Sequence, residues 1–128
     1  LKSLVKLVDN LPHKDILAYL MKSQVLLLFL NNVSNIDGVI PGKMYEYFGA
    51  KRPIFCIGKE NGDAANIIKD VKAGVVVGFY EKDRIKKEIC RMYKEYKNDR
   101  LVIESRDYTK YSRKQLTSKV ADILNTVS

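Results

Sequence analysis

Short apolar runs alternate with segments of helical periodicity along this chain. Ser3–Val8 (SLVKLV) predicts a strand, closed by Asn10-Leu11-Pro12. His13–Lys22 spaces Ile16, Leu17, Tyr19, Leu20 and Met21 as a short helix does. Gln24–Leu30 (QVLLLFL) is continuously apolar, the pattern of a strand covered on both faces. Asn31–Gly38 is polar, rich in Asn and ends in Asp-Gly, which reads as a loop.

The alternation continues. Ile40–Ala50 predicts a second helix and Pro53–Ile57 a strand. Gly58–Gly62 forms a second loop, Asp63 is placed to cap, and Ala64–Val71 predicts a helix. Gly74 ends that element and Val75–Val77 starts a third apolar β run. Asp83 is placed to cap a longer helix carrying Ile85, Ile89, Met92, Tyr93 and Tyr96. Asn98–Asp107 reads as a linker. Ser112 with Gln115 forms a capping-box pattern before Leu116, Val120, Ile123, Leu124 and Val127.

Strands and helices in that order predict an α/β domain: a Rossmann-like parallel sheet with helices on both faces. Ligands of such sheets bind beyond the carboxyl ends of the strands. The loops 31–38 and 58–62 fall there. No internal repeat or low-complexity segment interrupts the pattern.

With 128 residues the chain suits one domain. Its 46% hydrophobic and 30% charged residues exclude a disordered composition. The longest apolar run, Val25–Leu30, is six residues, far short of a membrane span. Lysines within the first eight residues do not fit a secretory signal. The opening without Met is expected of a piece of a longer protein.

Net charge is +8, from 23 Lys and Arg against 15 Asp and Glu. That excess favours anionic partners: phosphorylated metabolites, nucleic acid or an anionic membrane surface. Nucleic acid is disfavoured, because the basic residues are interleaved with acids and no helix-turn-helix or RNP-like pattern occurs. Cys56 and Cys90 have no metal-type spacing and are expected to be buried thiols of a reducing compartment. With His13 the sole histidine, no histidine-based metal site or triad is expected within the chain.

The stretch "IPGKMYEYFGAKRPIF" (Ile40–Phe55) carries the most chemistry. Pro at a first turn sacrifices no hydrogen bond, and Gly42 lets another group approach the backbone. Free N–H groups at a helix start, backed by the helix dipole, suit phosphate. Lys43 adds a positive charge, and Glu46 projects from the same face, placed to accept hydrogen bonds from ribose-like hydroxyls. The same residues also read as an ordinary helix boundary with a surface Lys43–Glu46 pair. The loop with Gly62 and Asp63 reads either as a weaker anion cradle or as a turn and cap. No G-x-G-x-x-G, Walker A or zinc pattern occurs.

Taken together, "LPHKDILAYLMKSQVLLLFL", "IPGKMYEYFGAKRPIFCIG" and "GDAANIIKDVKAGVVV" resemble the C-terminal, donor-binding half of GT-B-fold glycosyltransferases of the family 4 (group 1) type. The resemblance covers roughly Leu4 to Ile89, and "YSRKQLTSKVADIL" looks like the family's closing helix. It implies an incomplete GT-B C-terminal half that binds a nucleoside-diphosphate sugar as donor substrate, with no metal or other cofactor. It implies that Val39, Ile40, Gly42 and Lys43 face the diphosphate, Glu46 takes the ribose hydroxyls, and the loop with Gly62 and Asp63 borders the pocket. Many members carry a Glu near the donor sugar eight residues before the ribose Glu; here that position is Gly38, beside Asp37.

Those implications define the expected function. The full enzyme would move a sugar to a glycan or lipid-linked acceptor held by a domain outside this chain. It would act in the cytoplasm, peripherally at the inner membrane face. The chain alone would bind nucleotide weakly and catalyse nothing. A second copy pairing along an exposed sheet edge at Ser3–Val8 is also expected. The alternatives are a nucleotide-sugar epimerase of the same architecture and a non-catalytic basic interaction domain.

Overall fold

A computed structural model describes residues 2–34, 36–102 and 108–127 of the chain. Its elements are α1 (His13–Lys22), β1 (Leu26–Phe29), α2 (Lys43–Ala50), β2 (Ile54–Ile57), α3 (Asp63–Asp70), β3 (Gly74–Val77), α4 (Lys82–Lys97) and α5 (Arg113–Val127). Short 3₁₀ turns lie at Lys2–Leu4, Ile36–Gly38 and Tyr108–Tyr111. The three strands form one parallel sheet in the order β1-β2-β3, with Leu28 opposite Cys56 and Cys56 opposite Val76.

Side-chain alternation sorts the core onto two faces. On one, Leu28, Ile54, Cys56 and Val76 pack with Met44 and Phe48 of α2 and Ala64, Ala65 and Ile68 of α3. On the other, Phe55 and Val77 pack with Met92 of α4. The expected α/β arrangement with helices on both faces is therefore present. Fully burying a side chain such as Met44 or Ile68 contributes roughly 1.5–3 kcal/mol.

β1 departs from its expected double cover. Leu26 and Leu28 are buried, but Leu27 and Phe29 are 56% and 57% exposed, because α4 lies over β2 and β3 and leaves this flank bare. Ser3–Val8 is not a strand. Lys2–Leu4 is a 3₁₀ turn and the following residues are irregular, with Leu7 91% exposed. A strand needs a ladder partner for its N–H and C=O groups, and this segment has none. The open edge beside the helix layer is β1 itself.

Local signals explain most boundaries. α1 starts after Pro12, whose carbonyl accepts from the Asp15 N–H at 2.9 Å. At its end Arg52 Nε donates to the Met21 carbonyl at 2.8 Å, satisfying a helix-end acceptor from the neighbouring turn. α2 begins at Lys43, three residues after Ile40, so Pro41 precedes the helix. Gly62, not Asp63, holds the cap position of α3, and no side-chain cap bond forms there. α4 begins at Lys82, so Asp83 lies inside its first turn and Glu81, not Asp83, holds the cap position, its carboxylate accepting from the Gly78 N–H at 2.8 Å. The Gln115 N–H donates to Ser112 Oγ at 3.3 Å, the forward half of the expected capping box.

Gly74 opens β3 instead of closing α3, which ends at Asp70 with Lys72 in the left-handed region. A Cβ on Gly74 would lie 1.9 Å from the Ile54 carbonyl oxygen, so the parallel pairing of β2 with β3 requires glycine there. Cys56 is buried as expected, and burial pushes its thiol up to about 11. Cys90 is exposed on α4, contrary to expectation, because it faces away from the sheet. The expected loop 31–38 includes Asn35, and the expected linker 98–107 includes residues 103–107; these lie outside the described residues. Among the described residues no helix is long and apolar enough to cross a membrane.

Candidate functional site

The start of α2 leaves backbone donors open. Gly42 already has helical angles (φ −56°, ψ −37°), and no side chain caps the helix. The Met44 N–H donates to the Pro41 carbonyl at 3.0 Å and the Tyr45 N–H to the Gly42 carbonyl at 3.2 Å. Among the described residues, no protein acceptor meets the Gly42 or Lys43 N–H. Both residues are exposed, and a Cβ added to Gly42 would meet nothing within 4 Å. Two outward N–H groups and the positive end of the dipole thus face open space.

Glu46 follows one turn later. Its carboxylate lies 3.9 Å from His13 Nδ1, where α1 packs on α2. Neighbouring Tyr47 donates from its hydroxyl to the Leu27 carbonyl at 3.2 Å, occupying one acceptor on the open edge of β1. Burial, and secondarily the Glu46 charge, hold that phenol protonated above its ordinary range.

The remaining expected residues lie in the segment after β1 and at the start of α3. Asp37 and Gly38 lie in the 3₁₀ turn that packs on α3. Lys59 Nζ reaches Asp37 Oδ1 at 2.5 Å and bridges the loops after β1 and β2. Gly62 and Asp63 begin α3, where the Asp63 carboxylate already supplies negative charge to the dipole. That start is accordingly a poorer anion site than α2. Val39 and Ile40 are each 38% exposed and lead into Pro41.

A cavity of about 350 Å³ opens beyond the carboxyl ends of the strands, lined by Asn32, Gly58, Lys59, Glu60, Gly78 and Glu81 among others. Asn32, Gly58, Lys59 and Glu60 belong to the loops 31–38 and 58–62 expected at this end, although none is among the expected site residues, and Gly78 and Glu81 lie outside both loops. Arg84 Nη1 joins Glu60 (2.7 Å) and Glu81 (3.0 Å) at this end. The Gly78 N–H, followed by smaller effects including the Arg84 charge, holds the Glu81 carboxyl below its ordinary range. Gly42 and Glu46 instead line a second, larger crevice of about 640 Å³ between α2 and residues 108–116. The structure therefore divides the nine expected site residues. Gly42, Lys43 and Glu46 share α2, whereas Asp37 and Gly38 stand with Lys59 and α3.

The Lys59–Asp37 and Arg84–Glu60 pairs were missed because their partners come from different loops, whereas Glu81, three residues before Arg84, was a local signal left unread. The tyrosines of the second crevice left a faint signal: Tyr108 and Tyr111 lie three apart, and the chain has 8 tyrosines. Among the described residues no cluster of His, Cys, Asp and Glu could hold a metal ion. No protein-family model matches this chain, and neither a curated protein nor a solved structure is similar enough to it to count as a match.

Proposed function

We propose that this chain is the nucleotide-sugar-binding part of a GT-B-type glycosyltransferase, with a Rossmann-like sheet that presents the donor to an acceptor held by another domain. The observation that carries the reading is the start of α2. Unpartnered Gly42 and Lys43 N–H groups, the exposed Lys43 and the Glu46 carboxylate follow one another along a single turn. A diphosphate fits the first two features and vicinal ribose hydroxyls fit the third. The three motif blocks of the sequence add the resemblance to family 4 enzymes.

In this reading the α2 start and Lys43 stabilise the diphosphate as it departs, a role that preorganised donors perform without a metal. Asp37, held by Lys59, adjoins Gly38, the position at which many family members carry a Glu near the donor sugar. The acceptor is a glycan or a lipid-linked sugar, and the enzyme works at the cytoplasmic membrane face, where a +8 chain is attracted to anionic lipid.

Calorimetric titration with UDP, GDP, inorganic diphosphate and an oligonucleotide tests the class. UDP or GDP should bind, and Glu46→Gln should weaken that nucleotide roughly tenfold, the worth of a charged hydrogen bond, while sparing diphosphate. Equal losses for nucleotide and diphosphate would remove the ribose assignment. Binding of the oligonucleotide alone would favour a basic interaction domain.

A further inference from the structure

The α4 face of the sheet is covered unevenly. Met92 of α4 packs over β2 and β3, and the flank over β1 stays open as a groove of about 500 Å³. Val25, Leu27, Phe55 and Ile57 form its floor, and the α4 side with Ile89, Tyr93 and Tyr96 forms its wall. Apart from Gln24, every residue lining it is apolar or aromatic. Ile89 and Tyr93 are 51% and 61% exposed, so the chain itself leaves this wall without cover.

The charges along the wall have one sign. Lys86 stands seven residues before Tyr93 and Lys97 four after it, so helical spacing sets both lysines beside the exposed stripe. Lys82, seven before Ile89, extends the row. All three are exposed, and none pairs with an acid among the described residues. Glu88 and Glu95 are taken by Arg91, at 2.8 and 2.6 Å. Arg91 and Glu95 line a separate cavity with Gly74 and Val75 of β3, on the other side of α4. Across the groove no charged residue occurs from Ser23 to Ile36 to offset the lysines.

We propose that this groove seats an acidic amphipathic helix of a partner protein, laid over β1 alongside α4. Helices pack about 8–10 Å apart, roughly twice the spacing of strands, so one further helix covers β1 and its open edge. An apolar stripe at i, i+3, i+4 and i+7 fills the groove, and Asp or Glu beside it meets Lys86 and Lys97. Two other occupants fit less well. α5 of a second copy offers an exposed stripe of Leu116, Val120, Ile123 and Leu124. It also carries Arg113, Lys114 and Lys119 against Asp122, which sets like charges together. A bilayer is flat and leaves a groove walled by a helix unfilled. The seat lies on the opposite face of the sheet from α2 and is independent of the nucleotide reading.

The test is an amide-resolved NMR titration of the whole chain with a helical peptide of about 18 residues. The peptide carries Leu at those spacings and Glu beside them. Parallel arms use the same peptide with Lys for Glu, a peptide of residues 113–127, and vesicles of phosphatidylglycerol and phosphatidylcholine. The acidic peptide should shift the amides of Leu27, Ile89 and Tyr93, and its affinity should fall as salt rises. Lys86→Glu combined with Lys97→Glu should weaken it about tenfold and favour the Lys peptide instead. Tyr93→Ala should also weaken it about tenfold, with the melting temperature nearly unchanged because the ring is mostly exposed. No shift at these amides up to about a millimolar acidic peptide would overturn the proposal. So would equal affinity for the two peptides, unchanged binding in the double variant, or binding of the 113–127 peptide or the vesicles in its place.

Discussion

Lys59 Nζ lies 2.5 Å from Asp37 Oδ1 and ties the turn after β1 to the loop after β2. Both side chains are substantially exposed (41% and 65%), so the pair contributes at most about 1 kcal/mol to stability. Its larger effect is electrostatic, since Asp37 neutralises a lysine at the carboxyl end of the sheet. Asp37→Asn should leave the melting temperature nearly unchanged and tighten diphosphate binding a few-fold. Unchanged or weaker binding by calorimetry would show that Lys59 does not reach the anion.

The start of α2 permits a cleaner separation of backbone from side chain. Gly42→Val adds a branched group in free space at negative φ, so the fold should persist. The added group should hinder close approach and reduce diphosphate or UDP affinity by about tenfold or more. Lys43→Ala should weaken binding only a few-fold and flatten its salt dependence, because backbone donors remain. If neither substitution changes affinity, α2 is merely an ordinary helix boundary.

Leu27 and Phe29 make β1 an uncovered edge with an apolar flank. No charged residue occurs from Ser23 to Ile36 to oppose a second strand. Concentration-dependent self-association is therefore expected in light scattering, through β1 instead of Ser3–Val8. Phe29→Lys should shift the protein toward monomer and reduce binding of an apolar dye, with unfolding stability lowered by roughly 0.5–1.5 kcal/mol through the lost edge-to-face contact with Phe79. A monomer at all concentrations would refute pairing at this edge.

Tyr111 and Asp70 predict a pH signature. Lys110 and Tyr111, through their hydrogen bonds, hold the exposed Asp70 carboxyl below its ordinary range, while the Asp70 bond pushes the Tyr111 phenol up to about 12. The lowered Asp70 value contributes stability above the ordinary carboxylate range, lost as pH falls through the folded value. The raised Tyr111 value contributes stability below about 10, lost as pH rises through about 12. The difference in melting temperature between wild type and Tyr111→Phe should thus be flat near neutrality and shrink at both extremes. A difference independent of pH would assign Tyr111 a packing role alone.

Much of the architecture was legible in the sequence. Helical spacing located α1 residue for residue, and the apolar runs located β1, β2 and β3 to within two residues at either end. These signals are local, because a helix satisfies its own backbone and its apolar stripe repeats within a few residues. The α2 turn was legible for the same reason: Pro41, Gly42, Lys43 and Glu46 are neighbours in the chain.

Tertiary structure alone decided what depends on distant partners. SLVKLV has a strand's composition, yet no neighbouring strand offers it a ladder, so Ser3–Val8 stays irregular. QVLLLFL has the composition of a covered strand, yet its cover depends on where α4 lies, and Leu27 and Phe29 remain bare. The Asp37–Lys59 bridge, the Arg84 cluster and the aromatic crevice each join groups from separate elements. Local propensity is written in neighbouring residues; pairing, cover and site geometry arise only when remote segments meet.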